Sequence, residues 1–140
     1  MDSIQLEKNI SLSKFTTRRI GGPAEWIAQP KNNEELKYVI NCTNKKKIPC
    51  SVIGAGSNLL INDEGIKGLS LCMRNFKGIQ IDKNNGIIEV LSGEMLPTLA
   101  RKAAASGLHG FEWAVGIPGT IGGAVAVSYT HLTLPTNREV

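Results

Sequence analysis

The sequence contains few residues of the types that build disulfide frameworks, metal sites or nucleic-acid surfaces. It has three cysteines, two histidines and 5% aromatic residues among 140 positions. The cysteines are odd in number and lack C-x-x-C spacing, so they predict free thiols in a reducing cytoplasm. Neither a disulfide framework nor a metal site is expected. The formal charge of +4 is too small, and the aromatic residues are too few, to indicate nucleic acid as a partner.

Long apolar runs are also missing. No run approaches the roughly 20 apolar residues that a membrane-spanning helix needs. Asp2, Gln5 and Glu7 interrupt the N-terminal segment, so a signal peptide is not expected. The one basic run, residues 45–47, is typical of a solvated helix end. The length and the 41% hydrophobic content predict one globular domain with a core of its own.

Glycine is abundant, with 15 residues concentrated in particular places. The first place follows the apolar pair Val52-Ile53 and is called the first glycine turn; it consists of Gly54, Ala55, Gly56, Ser57, Asn58 and Leu59. Glycine permits positive φ angles and close approach of the backbone to a bulky group. Successive backbone N–H groups in such a turn can form an anion-binding nest. The pattern predicts a strand that ends in a phosphate-binding turn, with a purely structural turn as the alternative.

The two commonest phosphate motifs do not fit this turn. The fingerprint G-x-G-x-x-G would need glycine where Leu59 stands, and it would need a helix directly afterwards. A P-loop would need a Gly-Lys-Ser/Thr ending, which neither glycine-rich place has. Neither a Rossmann fold nor a P-loop fold is therefore indicated.

The second glycine stretch carries no charged side chain; it consists of Gly116, Ile117, Pro118, Gly119, Thr120, Ile121, Gly122, Gly123 and Ala124. A backbone segment with so few side chains is costly to order. Such a segment suits a place where backbone lies against a large flat ligand, and the two stretches together favour a dinucleotide-type cofactor. A glycine-rich loop or a helix–helix contact is the structural alternative.

The hydrophobic pattern predicts an α+β fold with a βα-rich first half and an antiparallel second half. In the first half, a helix begins at Asn32 or Asn33 as N-cap. In the second half, Asn84-Asn85-Gly86 forms a hairpin turn between two strands, and a helix follows from about Met95 to Ser106. The buried side of that helix is predicted to be Leu96, Leu99, Ala100 and Ala103. Further strands are predicted at residues 25–29, 50–53, 59–61, 69–73 and 125–127.

A third motif completes a resemblance to a known family. It reads Thr16-Thr17-Arg18-Arg19-Ile20-Gly21-Gly22-Pro23-Ala24. Together with residues 52–60 and 116–125, it resembles the N-terminal FAD-binding domain of the UDP-N-acetylenolpyruvoylglucosamine reductase family over residues 12–127. The resemblance implies the FAD-binding fold of the vanillyl-alcohol-oxidase/PCMH type, with residues 1–127 as the FAD-binding domain. It also implies that the flavin pyrophosphate lies against the first glycine turn and that the second glycine stretch lies along the rest of the cofactor.

The resemblance implies a reaction as well. The expected enzyme is a cytoplasmic, FAD-containing reductase that takes hydride from NADPH through a non-covalent flavin. Its substrate would be a UDP-sugar with an enolpyruvyl group, and its product would be UDP-N-acetylmuramate, a peptidoglycan precursor. The family's catalytic arginine, serine and glutamate would lie beyond the matched region, so no residue of this chain is assigned a catalytic role. The 140 residues alone are expected to be inactive.

Two departures from the family pattern stand out. Arg18 occupies a position where family members commonly carry an aromatic residue. Residues 128–140 do not continue the family pattern and are predicted to be a non-native tail. Two other functions stay open at this point. A related oxidase with covalent flavin would need a histidine or cysteine beside a glycine stretch, whereas His109 lies several residues before the second one. A non-catalytic nucleotide-binding module is the other alternative.

Overall fold

The computed structural model describes residues 4–127. Residues up to Phe76 belong to one compact unit, and residues from Lys77 belong to a second. The prediction of a single FAD-binding domain over residues 1–127 stays a prediction. The predicted non-native tail, residues 128–140, lies outside the described residues. No helix in the described part of the chain combines the length and apolar character that crossing a bilayer requires.

The first unit is a four-stranded mixed sheet with one α-helix. Its strands follow the order β1-β2-β4-β3, with β1 antiparallel to β2 and the other three strands parallel. Helix α1 connects the parallel strands β2 and β3, as the strand–helix–strand pattern indicates. The bounds are β1 Leu6–Ser11, β2 Pro23–Ala28, α1 Asn33–Lys46, β3 Cys50–Ile53 and β4 Ile66–Cys72.

The core of the first unit lies under β2 and β4. Its buried members come from five different segments, and they are Leu12, Ala24, Ile27, Ile53, Ile61 and Cys72. Leu12 belongs to the 3-10 helix Leu12–Phe15 that follows β1. The weak pattern of residues 1–19 did not indicate β1 or this helix, because β1 is exposed at nearly every position.

The predicted N-terminus of α1 is confirmed. The Asn32 side chain accepts a hydrogen bond of 2.9 Å from the backbone N–H of Glu35. The Glu35 carboxylate accepts one of 2.8 Å from the N–H of Lys31. The helix ends at Lys47, whose φ of 53° is left-handed. Pro49 follows two residues later, as expected of a residue that cannot continue a helix.

The strand predicted at residues 59–61 is wrong. These residues are irregular, and Leu60 is 74% exposed while Ile61 is buried. The segment is held by a turn, because the N–H groups of Gly22 and Gly65 both donate to the carbonyl of Asn62. The apolar run therefore supplies one core side chain without joining the sheet.

The second unit combines a hairpin with helices. The hairpin strands β5 Ile79–Asp82 and β6 Ile87–Val90 are antiparallel, as predicted. Helix α2, Leu96–Ala105, buries the four residues that the pattern predicted: Leu96, Leu99, Ala100 and Ala103. A 3-10 helix, Glu112–Gly116, and helix α3, Ile121–Val127, complete the unit.

The strand predicted at residues 125–127 is also wrong, because these residues form the end of α3. Thr120 starts the helix: its hydroxyl accepts from the N–H of Gly123 at 3.2 Å, and its carbonyl accepts from Ala124 at 2.9 Å. The predicted loop in the second glycine stretch is therefore helical in its last part. The Thr120 cap favours a helix here, although the β-branched residues Val125 and Val127 favour a strand.

Candidate functional site

The first glycine turn lies where the edge strand β3 ends. Strand β3 runs parallel to β4 with Ile53 opposite Cys72. Parallel strands finish at the same edge of a sheet, so residues 54–59 lie beside the segment that follows β4. In open sheets with parallel strands, ligands bind outside these carboxyl ends.

Gly56 is the residue of this turn that the protein can accept only as glycine. It is buried, and its φ is +71°. A β-carbon at this position would overlap the carbonyl oxygen of Phe15. The carbonyl of Gly56 accepts a hydrogen bond of 3.2 Å from the N–H of Thr17, which joins the turn to the third sequence motif.

Arg74 also holds the turn, and sequence reasoning missed this residue. It lies in the 3-10 helix Met73–Asn75, directly after β4. Its guanidinium donates to the carbonyl of Ala55 at 2.7 Å and to the carbonyl of Gly54 at 3.4 Å. Three consecutive carbonyl groups of the turn are therefore hydrogen-bonded to the protein, those of Gly54, Ala55 and Gly56.

The backbone N–H groups of the turn differ from its carbonyls in their hydrogen bonding. Within residues 4–127, no protein group accepts a hydrogen bond from the backbone N–H of Ala55, Gly56, Ser57, Asn58 or Leu59. In a planar trans peptide, the C=O and the following N–H point in opposite directions. The carbonyls face the protein, so the N–H groups of the same peptides point away from their protein partners. The N–H groups of Ala55, Gly56 and Ser57 are therefore left without a protein acceptor among residues 4–127, as the donors of an anion-binding nest would be.

The charges near the turn suit an anion. Arg18 and Arg19 follow Thr17 and are exposed. Across the described part of the chain, the one ion pair is His109 with Glu112, so no carboxylate neutralises these arginines or Arg74 within that part. The Ser57 side chain is half-buried and the Asn58 side chain is exposed, and both can add polar contacts to a ligand.

The second glycine stretch differs in its hydrogen bonds. The N–H groups of Ile121 and Gly122 donate to the carbonyls of Glu94 and Ser92 at 2.8 and 2.9 Å. A β-carbon on Gly122 would lie 2.9 Å from the β-carbon of Ser92, so packing alone explains that glycine. These N–H groups are satisfied by protein and are not donors for a ligand.

Protein packing restricts the beginning of the second stretch less than its end. Gly116 ends a 3-10 helix, and a β-carbon there would meet nothing within 4 Å. Gly119 has a φ of +140°, and its carbonyl accepts from Leu96 at 3.0 Å. Protein packing therefore does not require glycine at position 116. The two glycine stretches belong to different compact units, and each has its own geometry.

Metal ligands do not cluster in the part of the chain that the structure describes. No group of three or more histidine, cysteine, aspartate or glutamate residues there could hold a metal ion. The cysteines Cys42, Cys50 and Cys72 are free thiols.

Comparison with known families identifies the family of the chain. The profile of the FAD binding domain family matches residues 24–131, which is more than half of the chain. The chain belongs to the FAD binding domain family. The expected FAD-binding fold is thereby confirmed.

Sequence relatives agree with the resemblance seen in the motifs. The chain is 91% identical over 128 residues to a UDP-N-acetylenolpyruvoylglucosamine reductase of Prochlorococcus marinus (strain NATL2A) and covers 91% of its own length and 44% of the relative. It is 52% identical over 119 residues to the enzyme of the same name from Synechococcus sp. (strain CC9605), covering 85% of this chain and 40% of that relative. The predicted resemblance is confirmed, and the chain spans less than half the length of these relatives.

Solved structures show the same fold. A UDP-N-acetylenolpyruvylglucosamine reductase (MurB) from Thermus caldophilus superposes with a TM-score of 0.65 at 34% identity, over 87% of this chain and 41% of that one. An alkyldihydroxyacetonephosphate synthase superposes with a TM-score of 0.60 at 21% identity, over 87% of this chain and 26% of that one. The second likeness concerns the fold alone.

The first glycine turn fits FAD by the chemistry of its donors. FAD carries a pyrophosphate, which is an acceptor-rich dianion. The turn offers up to five N–H donors without an acceptor among residues 4–127, and cationic side chains lie nearby. Backbone N–H groups in such a concavity are a common solution for binding phosphate groups.

Proposed function

We propose that this chain binds FAD non-covalently and holds the flavin pyrophosphate at the first glycine turn. The observation that carries the proposal is the arrangement of that turn. Its carbonyls at residues 54–56 are bound by Arg74 and Thr17, and the N–H groups of residues 55–59 have no acceptor in the described part of the chain. Membership of the FAD binding domain family identifies the ligand class.

Two further features support a flat, mostly apolar ligand beyond the pyrophosphate. Leu60 and Val52 flank the turn and are 74% and 65% exposed. Apolar surface beside a few convergent polar groups is typical of a cofactor site. In the second glycine stretch, Gly116 is exposed and a β-carbon there would meet nothing within 4 Å. On the strength of the family resemblance, we propose that residues 116–124 contact FAD.

We further propose that the chain supplies the FAD-binding part of an enzyme that reduces the enolpyruvyl group of a UDP-sugar, with NADPH as hydride donor. When bound, FAD supplies the hydride-transfer chemistry. The residues of this chain bind the cofactor, orient it and exclude water from its phosphates. The proton needed at the second carbon requires a general acid, and no described residue is assigned that role. The product would be UDP-N-acetylmuramate, made in the cytoplasm for peptidoglycan synthesis.

The binding proposal is tested by the colour of the protein. The purified 140-residue chain, titrated with FAD, is expected to acquire the near-ultraviolet and blue absorption bands of an oxidised flavin. Heating should release the flavin into the supernatant, because no covalent bond is proposed. A chain that stays colourless and takes up no FAD would contradict the proposal. Flavin that remains attached after denaturation would favour a covalent oxidase instead.

The reaction is tested in a chimera. Residues 1–127 of this chain are followed by the part of the Prochlorococcus marinus NATL2A relative that continues beyond the matched region. This chimera is expected to oxidise NADPH in the presence of the UDP-enolpyruvyl sugar, and the 140-residue chain alone is expected not to. An FAD-loaded chimera without turnover would overturn the assignment of the reaction, while the FAD site would stand.

A further inference from the structure

Arg74 contacts the first glycine turn from its carbonyl side. Strand β4 ends at Cys72, opposite Ile53 of β3. The 3-10 helix that follows turns Arg74 toward the segment after β3. The strand register therefore brings two segments about 20 residues apart in sequence into contact.

Among residues 4–127, the guanidinium contacts three carbonyl groups and one aromatic ring, and it forms no ion pair with a carboxylate. Its Nη2 donates to Ala55 at 2.7 Å, its Nε to Gly54 at 3.4 Å and its Nη1 to the carbonyl of Lys14 at 3.2 Å. Its central carbon lies 5.5 Å from the centroid of the Phe15 ring. One planar group thus joins the glycine turn to residues 14–15, the same segment that abuts Gly56.

The contacts fix the orientation of two peptide planes. The carbonyl of Gly54 and the N–H of Ala55 belong to one planar peptide, and the carbonyl of Ala55 and the N–H of Gly56 belong to the next. A guanidinium that binds both carbonyls turns both N–H groups away from itself. The bond from Thr17 to the Gly56 carbonyl does the same for the N–H of the third peptide.

We propose that Arg74 is a positioning residue for the cofactor: it acts through the backbone of residues 54–56 to aim the N–H groups at the pyrophosphate. The inference rests on the proposed function, because it takes the bound anion to be the flavin pyrophosphate. Arg74 acts on the face of the turn opposite to the ligand. Its contribution depends on the forked geometry of the guanidinium, which a lysine ammonium does not reproduce.

The test uses the chimera defined above, with Arg74→Lys and Arg74→Met as variants. Arg101→Met is the matched control, because Arg101 is an exposed arginine on α2. Binding of FAD and of riboflavin, which lacks the pyrophosphate, is measured by the same fluorescence titration. We expect both Arg74 variants to bind FAD about tenfold to a hundredfold more weakly, the range that lost hydrogen bonds of a charged group produce. Riboflavin binding should be unchanged in all variants.

The lysine variant separates positioning from charge alone. An Arg74→Lys protein that binds FAD as tightly as the parent would show that the charge suffices and would overturn the inference. Equal weakening of FAD and riboflavin would also overturn it, because the effect would not be specific for the pyrophosphate. The circular dichroism melting curve of each apo variant shows whether the fold is intact. Should the parent chimera bind no FAD, the proposed function fails first, and this inference fails with it.

Discussion

The carbonyl oxygen of Phe15 occupies the space into which a side chain on residue 56 would project. This relationship explains why glycine stands at position 56 whether or not a cofactor is bound. The turn is built against the third sequence motif, and the two segments are also joined by the hydrogen bond from Thr17 to Gly56. Contacts within the protein therefore help to set the shape of this turn.

Replacing Gly56 with alanine should destabilise the protein strongly. The positive φ costs a side-chain-bearing residue about 1–2 kcal/mol, and overpacking against Phe15 adds about 1–3 kcal/mol. Urea unfolding of Gly56→Ala should show the sum as a lower free energy of unfolding. Gly86→Ala is the matched control, because Gly86 has a φ of +68° but nothing within 4 Å of a β-carbon. Equal losses in the two variants would show that the contact with Phe15 is not tight.

The buried hydroxyl of Thr16 should contribute to the stability of the same region. Thr16 is 4% exposed, and its hydroxyl donates to the carbonyl of Ile20 at 2.9 Å. Thr16→Val keeps the shape but leaves that carbonyl without its donor, so we expect a loss of about 1–2 kcal/mol in the free energy of unfolding. Thr17→Val is the control, because the Thr17 side chain is exposed. A Thr16→Val protein as stable as Thr17→Val would contradict this account.

The Asp82 carboxyl in the hairpin turn should make the stability of the protein depend on pH. The side-chain amide of Asn85, followed by its backbone N–H, holds the pKa of the Asp82 carboxyl below its ordinary value. A carboxyl with a lowered pKa in the folded state stabilises the protein above the unfolded-state pKa of about 4. That contribution is lost as the pH falls through the lower folded-state pKa.

Removal of Asp82 should therefore reduce the acid sensitivity of stability. Urea unfolding at neutral pH and at a series of acidic pH values should give a gap between the parent and Asp82→Ala that closes with acidification. Asp63→Ala is the matched control, because within residues 4–127 the Asp63 side chain accepts no hydrogen bond, whereas Asp82 accepts three. A gap between parent and Asp82→Ala that stays constant across the acid range would contradict the assignment.

The cysteines should differ in reactivity toward alkylating agents. Burial raises the pKa of the Cys72 thiol, while the backbone N–H and the charge of Arg74 act in the opposite direction. Burial also raises the pKa of Cys50, but Cys50 is exposed on the edge strand β3. Because the thiolate reacts and needs access, brief iodoacetamide treatment followed by mass spectrometry should label Cys50 before Cys72. Labelling of Cys72 in the folded protein at the rate of Cys50 would contradict the packing described for β4.

Sequence patterns predicted those elements in which local signals and burial agree. Asn32 and Glu35 cap α1 as the composition of its first turn indicates. The four buried residues of α2 recur at helical spacing, and they are the ones that the structure buries. The two wrong strands have a common cause, since residues 59–61 and 125–127 are apolar and β-branched or leucine-rich. A turn in one case and a helix cap in the other determined their conformation.

The site was predicted in part for a similar reason. The first glycine turn is local in sequence, so the pattern could predict a strand that ends in a turn at these residues. Arg74 could not be found this way, because its contacts depend on the register between β3 and β4. The signal in the sequence is that Arg74 comes directly after residues 69–73, which the pattern predicts as a strand. The parallel pairing of that strand with β3 is known only from the structure. The contacts that residues 54–59 and 116–124 make with FAD stay predictions.

The central claim is that the flavin pyrophosphate binds to the N–H groups of the first glycine turn. The most direct measurement is a crystal structure of the chimera with FAD bound. The account predicts pyrophosphate oxygens within hydrogen-bond distance of the backbone nitrogens of residues 55–59, with Arg74 still bound to the carbonyls of Gly54 and Ala55 on the opposite face. A pyrophosphate bound elsewhere, or a turn whose N–H groups point away from it, would contradict the account.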